Sequence, residues 1–239
     1  MQQPEEMLIL LAKALVQGAS VGELPKYACS AAAEVLECTG AAIALGDFES
    51  GRILLCASES IARAVEEVQE IAAQGPSIHA YGSGRSVSLA IDGDDDLTDP
   101  RWPLLSLTTL REYRPLTVLA TPLKASNEVI GTLTLVKRGV ADCIDEEAAL
   151  DVARLVTAVV LASAPSDLNE LFSAPWNERA EIFQATGMVM AQLRLGEQDA
   201  LALLKAHSFA AGVSLTDTAR DVLARRLILG GDAGDEAQG

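Results

Sequence analysis

A chain of 239 residues with 49% hydrophobic residues has the length for two domains and enough apolar side chains to build packed cores, which excludes global disorder. With only 4% aromatics, those cores must come from Ala, Leu and Val. A formal net charge of −16 argues against a surface that holds nucleic acid by charge alone.

In chain order, residues 4–18 repeat apolar side chains at helical spacing behind Pro4 and two glutamates, and 23–38 form a second helical stretch before Thr39 and Gly40. The pattern then turns to strands. AAIALGDF and RILLCAS flank Glu49-Ser50-Gly51, a hairpin signal. In RSVSLAID, Val87, Leu89 and Ile91 alternate with Ser86, Ser88 and Ala90, the two-residue period of a half-buried strand. TVLATPLK and EVIGTLTLVKR lie on either side of Ala125-Ser126-Asn127 as a further hairpin, and a helical pattern runs from Asp145 to Ala162. The expectation is an α+β domain over 1–164, an antiparallel sheet of about five strands with flanking helices. Prolines at 165 and 175 punctuate a connector, 165–176.

Beyond it lies no strand signal. Ile182, Ala185, Val189 and Leu193 make one helical stripe, with Met188 and Met190 widening it. Ala200, Leu203, Leu204, His207 and Ala211 make a second after Gly196, and Leu215, Ala219, Val222, Leu223 and Leu227 a third after Gly212. Ser214 with Asp217 starts the third like a capping box. An all-α three-helix bundle over 177–229 follows, and the polar, glycine-rich residues 230–239 read as a disordered tail. The bundle holds six acids and six bases, so it is formally neutral and the acidity lies elsewhere.

Several chemistries fail on residue count. Cys29, Cys38, Cys56 and Cys143 contain no CxxC pair, which suits reduced thiols in a cytoplasmic protein. The chain carries no signal-peptide pattern, and charges interrupt every long apolar run, so no membrane span is expected. The first domain has one histidine, His79, too few for a triad or a histidine-rich metal site. Taken from Asp92, the acidic run would need Gly at position six and Glu at position twelve to hold calcium, and offers Leu97 and Pro103. No enzyme, cofactor or metal is expected.

The order of Gly75-Pro76-Ser77-Ile78-His79-Ala80, Ser83-Gly84-Arg85-Ser86-Val87, Arg101-Trp102-Pro103, Thr121-Pro122-Leu123-Lys124 and Ile130-Gly131-Thr132-Leu133 resembles a GAF domain of the variety common in actinobacterial regulators. The resemblance covers residues 20–163 and implies a six-stranded-type sheet with a pocket for a small molecule, or a dimerisation role. Ser77 and His79 stand where this variety has Cys and Asp; with Trp102 they are the expected pocket residues. His79 itself reads as a loop residue.

Residues 177–229 resemble the ANTAR domain, an RNA-binding antitermination module. Ala185, Gly187, Met188 and Met190 stand where that family has Ala-Lys-Gly and a hydrophobic pair, with Thr186 in place of the lysine. Lys205 stands where arginine is usual. The resemblance implies a signal-responsive transcription regulator whose bundle binds paired RNA hairpin loops, with the signal to the GAF-like domain a small molecule or a protein. The RNA-binding residues it suggests are Ala185, Thr186, Gly187, Lys205, His207, Ser208 and Arg220. His207 also lies on an apolar stripe, where a core role is equally consistent. The rival reading is a ligand-sensing or protein-interaction dimer whose helical module has lost RNA binding. In either case, excess apolar surface on the helices at 5–18 and 145–162 leads us to expect a homodimer.

Overall fold

A computed structural model describes residues 2–46, 52–91, 99–103, 105, 110, 113–139, 144–164 and 177–229. The chain separates into two compact units, Met1–Trp176 and Asn177–Gly239. The hairpin tip at 49–51, Cys143, the connector 165–176 and the tail 230–239 lie outside the described residues.

The first unit is an α+β domain. Helices α1 (Gln2–Val16) and α2 (Leu24–Val35) precede strands β1 (Gly40–Leu45) and β2 (Ile53–Ala57). Helices α3 (Ser60–Ala72) and α4 (Pro76–Ser83) lead into β3 (Val87–Ile91), then β4 (Leu116–Ala125), β5 (Glu128–Arg138) and α5 (Glu146–Ala162). The strands pair antiparallel throughout in the order β2-β1-β5-β4-β3. Five strands are present among the described residues, against the six-stranded type that the family resemblance implies.

Every residue of β1 is buried, because helices cover both faces of the sheet. On one face α1, α2 and α5 bring Met7, Leu11, Ala32, Val152 and Val156 against Ile43, Leu119, Leu133 and Leu135. Small side chains at Ala28, Ala31, Ala32 and Ala33 let α2 approach the sheet closely, as a chain poor in aromatics requires. On the other face α3 supplies Ile61 and Val65, while Trp102, Leu105 and Leu110 close over Leu89, Val118 and Val136. The two-residue period of β5 sends Leu133 and Leu135 to one face and Thr132, Thr134 and Val136 to the other.

Local chemistry sets the element ends. Asp145, expected inside the last helix of this domain, is its N-cap: Oδ1 accepts from Glu147 N at 3.0 Å and Ala148 N at 3.1 Å. Helix α5 buries Ala149, Val152, Ala153 and Val156 within its own unit, so the excess apolar surface expected there is largely used up. Helix α1 keeps its excess.

The second unit is a three-helix bundle of α6 (Asn177–Leu193), α7 (Glu197–Ala211) and α8 (Leu215–Leu223). The three sequence stripes meet in one core through Ile182, Ala185, Val189, Ala200, Leu204, Leu215, Ala219 and Val222. Ser214 Oγ accepts from Asp217 N at 3.0 Å, the cap its spacing predicts. Among the described residues, no helix is long and apolar enough to cross a membrane.

Candidate functional site

In the first unit the polar chemistry gathers under α4. Arg52 directly precedes the apolar strand β2, and its guanidinium turns inward rather than to solvent. Its Nη2 donates to Glu66 Oε2 at 2.5 Å, Ser77 Oγ at 3.0 Å and Thr132 Oγ1 at 3.1 Å. All four residues are buried. Gln69, one turn beyond Glu66 on α3, accepts from Ser77 N at 2.7 Å and donates to Glu66 Oε1 at 3.4 Å. Ser77 N is one of the first backbone donors of α4, which has no partner inside the helix, so Gln69 serves as a cap supplied from another helix. Gly75 makes this possible: at φ +137° a Cβ there would stand 2.6 Å from the Gln69 side chain.

This network joins β2, α3, α4 and β5, and it holds its opposite charges as a neutral pair within the domain. Arg52 Nε and Thr134 Oγ1 are buried with no hydrogen-bond partner among the described residues. Apart from Ser77, none of these residues was expected from the sequence. The signal that could have revealed them is Gln69, a polar residue at helical spacing from Ile61 and Val65 on the buried stripe of α3.

The expected pocket residues divide between two environments. His79 is on helix α4 rather than in a loop. Two residues apart on a helix, Ser77 and His79 point in nearly opposite directions, so Ser77 enters the network while His79 is exposed. His79 meets the edge of Trp102 with ring centroids 6.1 Å apart. Trp102 is buried in the second core, and the Arg101 guanidinium lies 4.2 Å from its ring centroid. Asp99 pins Arg101 at 2.8 Å, and that hydrogen bond holds the Asp99 carboxyl below its ordinary range.

The described thiols, Cys29, Cys38 and Cys56, are buried or half-buried. Cys29 donates to Ala41 O at 2.9 Å and Cys56 to Pro25 O at 3.3 Å, both buried. The neighbouring Cys29 thiol and burial together push the Cys56 thiol well up, while burial pushes Cys38 up to about 11. No group of three or more His, Cys, Asp or Glu residues among the described ones could hold a metal ion.

In the bundle the expected RNA-binding residues also part company. Ala185, Thr186 and Ser208 are interior, whereas an RNA contact by their side chains calls for an exposed position. The reason is periodicity: 182, 185, 186 and 189 form one helical stripe, and Thr186 satisfies its hydroxyl by donating to Ile182 O at 2.8 Å. Ser208 donates to Leu204 O at 3.0 Å and stands 2.8 Å from Thr218 Oγ1, tying α7 to α8. Gly187 and Arg220 are exposed, and Lys205 and His207 are half-buried. Arg220 donates through Nε to Glu181 Oε2 at 3.0 Å, joining α8 to α6, with Asp217 3.6 Å from its Nη1. Arg226 is held by Asp221 at 2.6 Å. The surface also carries two aromatic rings that sequence reasoning passed over, Phe183 and Phe209, the latter 63% exposed.

Comparison with known proteins agrees with this division. A family model described as GAF domain matches residues 26–160, and one described as ANTAR domain matches 174–223. No curated protein matches the chain. Among solved structures, the GAF domain of an Acinetobacter phosphoenolpyruvate-protein phosphotransferase is similar at 14% identity and TM-score 0.48, covering 70% of this chain and 99% of that one. The A. aeolicus nlh2 GAF domain in an inactive state is similar at 13% identity and TM-score 0.47, covering 66% and 96%. Free methionine-R-sulfoxide reductase from Neisseria meningitidis, in complex with its substrate, is similar at 14% identity and TM-score 0.42, covering 68% and 93%. The chain belongs to the GAF family and carries an ANTAR domain behind its GAF domain, the composition of a signal-responsive regulator.

Proposed function

We propose that this protein is a cytoplasmic transcription regulator that works as a homodimer and promotes antitermination by holding RNA stem-loops. Its GAF domain responds to a small-molecule or protein signal, and its ANTAR bundle engages the paired hairpin loops. The observation that carries this reading is the ANTAR match over 174–223, which spans the helices of the bundle almost completely. Loop recognition relies on stacking and base-edge hydrogen bonds more than on a broad basic surface, which suits a formally neutral bundle with exposed Phe183 and Phe209. Binding, not bond-making, is then the activity.

The test is a gel-shift series with paired hexaloop hairpins against hairpins of scrambled loop sequence. Preference for the former is expected; equal binding to both would sink the proposal. A second reading has its own support: Thr186 is buried where the family has lysine, and Arg220 and Arg226 are tied to carboxylates. On that reading the bundle is a protein-interaction module, and RNA binding is absent even at low salt, where phosphate contacts are strongest.

A further inference from the structure

Helix α7 ends on a surface that packing within its own unit does not explain. From Phe209 to Val213 five consecutive residues, Phe-Ala-Ala-Gly-Val, are exposed, and none carries a polar side chain. Exposed apolar runs of that length are avoided in folded chains unless something outside uses them. The helix end accounts for part of the run: Gly212 takes the left-handed conformation at φ +65°, and Val213 N donates to Ser208 O at 3.1 Å. The Phe209 side chain has no part in that closure. It is 63% exposed, and among the described residues its ring meets neither another aromatic ring nor a cation.

We infer that Phe209 is the platform on which one unpaired base of an RNA loop stacks, with Lys205 serving the adjoining phosphate. The inference rests on the reading of the bundle as an RNA-binding module and names the side chain that holds the loop. The ring stands on a fixed base. One residue earlier, Ser208 Oγ donates to Leu204 O at 3.0 Å and lies 2.8 Å from Thr218 Oγ1 on α8, which pins the backbone carrying Phe209 to the core. Its followers Ala210, Ala211 and Gly212 are too small to cover it. Lys205 lies one turn earlier on the same face of α7. The size of the patch decides the class of partner. A stable protein interface takes about 20–30 residues a side. One ring flanked by two alanines and a valine falls far short of that, yet suffices for a single base. With no basic residue in the last turn of α7, the run itself offers nothing to a phosphate, and the uncharged face of a base is what fits it.

Titration of hexaloop hairpins carrying 2-aminopurine at single loop positions, with the full chain, tests the platform. At one loop position the emission should be quenched on binding. Phe209→Ala should abolish that quenching and weaken binding about tenfold, with the salt slope unchanged because no phosphate contact is lost. Phe209→Trp should bind at least as tightly as the parent, whereas Phe209→Leu, apolar but without a flat face, should fall with the alanine variant. The side chain is exposed, so the circular dichroism spectrum should be the same for all three. Lys205→Ala should lower the salt slope by about one charge, and an unchanged slope would remove Lys205 from the site. A parent chain that binds no hairpin even at low salt would overturn the RNA reading and the platform with it. Hairpin binding that Phe209→Ala leaves intact would overturn the platform alone and assign the apolar run to a protein partner. A leucine variant equal to the parent would overturn stacking as the source of the affinity.

Discussion

Arg52 and Glu66 stand 2.5 Å apart with both side chains 2% exposed, an ion pair sealed between the sheet and α3. Neither partner has water to fall back on, so removing one leaves the other as an uncompensated buried charge. Glu66→Gln should cost about 3–5 kcal/mol of stability. Replacing both, as Arg52→Met with Glu66→Leu, should cost less than either single loss, since no charge is then stranded. Urea unfolding of the three variants checks the order; a double variant weaker than both singles would contradict it.

Thr186 occupies the position where the family places lysine, and the structure turns that difference into a folding constraint. Its side chain lies on the Ile182–Val189 stripe, with its hydroxyl satisfied by Ile182 O. Thr186→Lys should therefore destabilise the bundle by about 2–4 kcal/mol rather than gain an RNA contact. Thr186→Val keeps the volume and removes only a bond within one helix turn, so it should stay within about 1 kcal/mol. Thermal unfolding of the two variants separates the outcomes, and a lysine variant as stable as the parent would show that position 186 faces outward.

Arg220 is held by Glu181 across α6 and α8 in a half-exposed pair, 45% and 29% exposed. Such pairs contribute about 1 kcal/mol or less. Glu181→Gln should therefore leave the fold intact while freeing the guanidinium of its closer carboxylate, with Asp217 still 3.6 Å from Nη1. If Arg220 contacts phosphate, hairpin binding should tighten and the salt dependence steepen by about one charge. An unchanged salt slope would remove Arg220 from the RNA site.

Gly187 is exposed in the middle of α6, and a Cβ there would meet nothing within 4 Å. Packing among the described residues gives no reason for glycine at a position where alanine would favour the helix by about 0.5–1 kcal/mol. Gly187→Ala should raise the melting temperature of the bundle and, if the proposed RNA site uses the bare backbone at this position, weaken hairpin binding. A variant more stable and equal in RNA affinity would place the RNA elsewhere.

The features legible in the sequence are those governed by neighbours a few residues away. The β4–β5 hairpin around Ser126-Asn127, the strand alternation at Val87–Ile91, the Ser214 cap and the three stripes of the bundle all depend on short-range periodicity or backbone hydrogen bonding. Short-range signals survive in a linear reading because the partner is already in view. Thr186 was readable by the same means, since 182, 186 and 189 are one turn apart. The family pattern suggested an RNA contact there, and the helical position buries the side chain.

Tertiary structure alone decided the rest. Arg52, Glu66, Ser77 and Thr132 come from four elements, and no local pattern announces that a guanidinium at the head of an apolar strand will turn inward. Glu181 and Arg220 are 39 residues apart, and their contact follows from how α8 lies on α6. Which apolar faces stay open was equally undecided: α1 and α5 read alike, yet α5 buries most of its apolar side chains within its unit, leaving Leu161 exposed, while α1 leaves Leu8, Ile9, Leu15 and Val16 exposed. Helical spacing fixes which residues share a face, whereas the packing of the elements decides which face is covered.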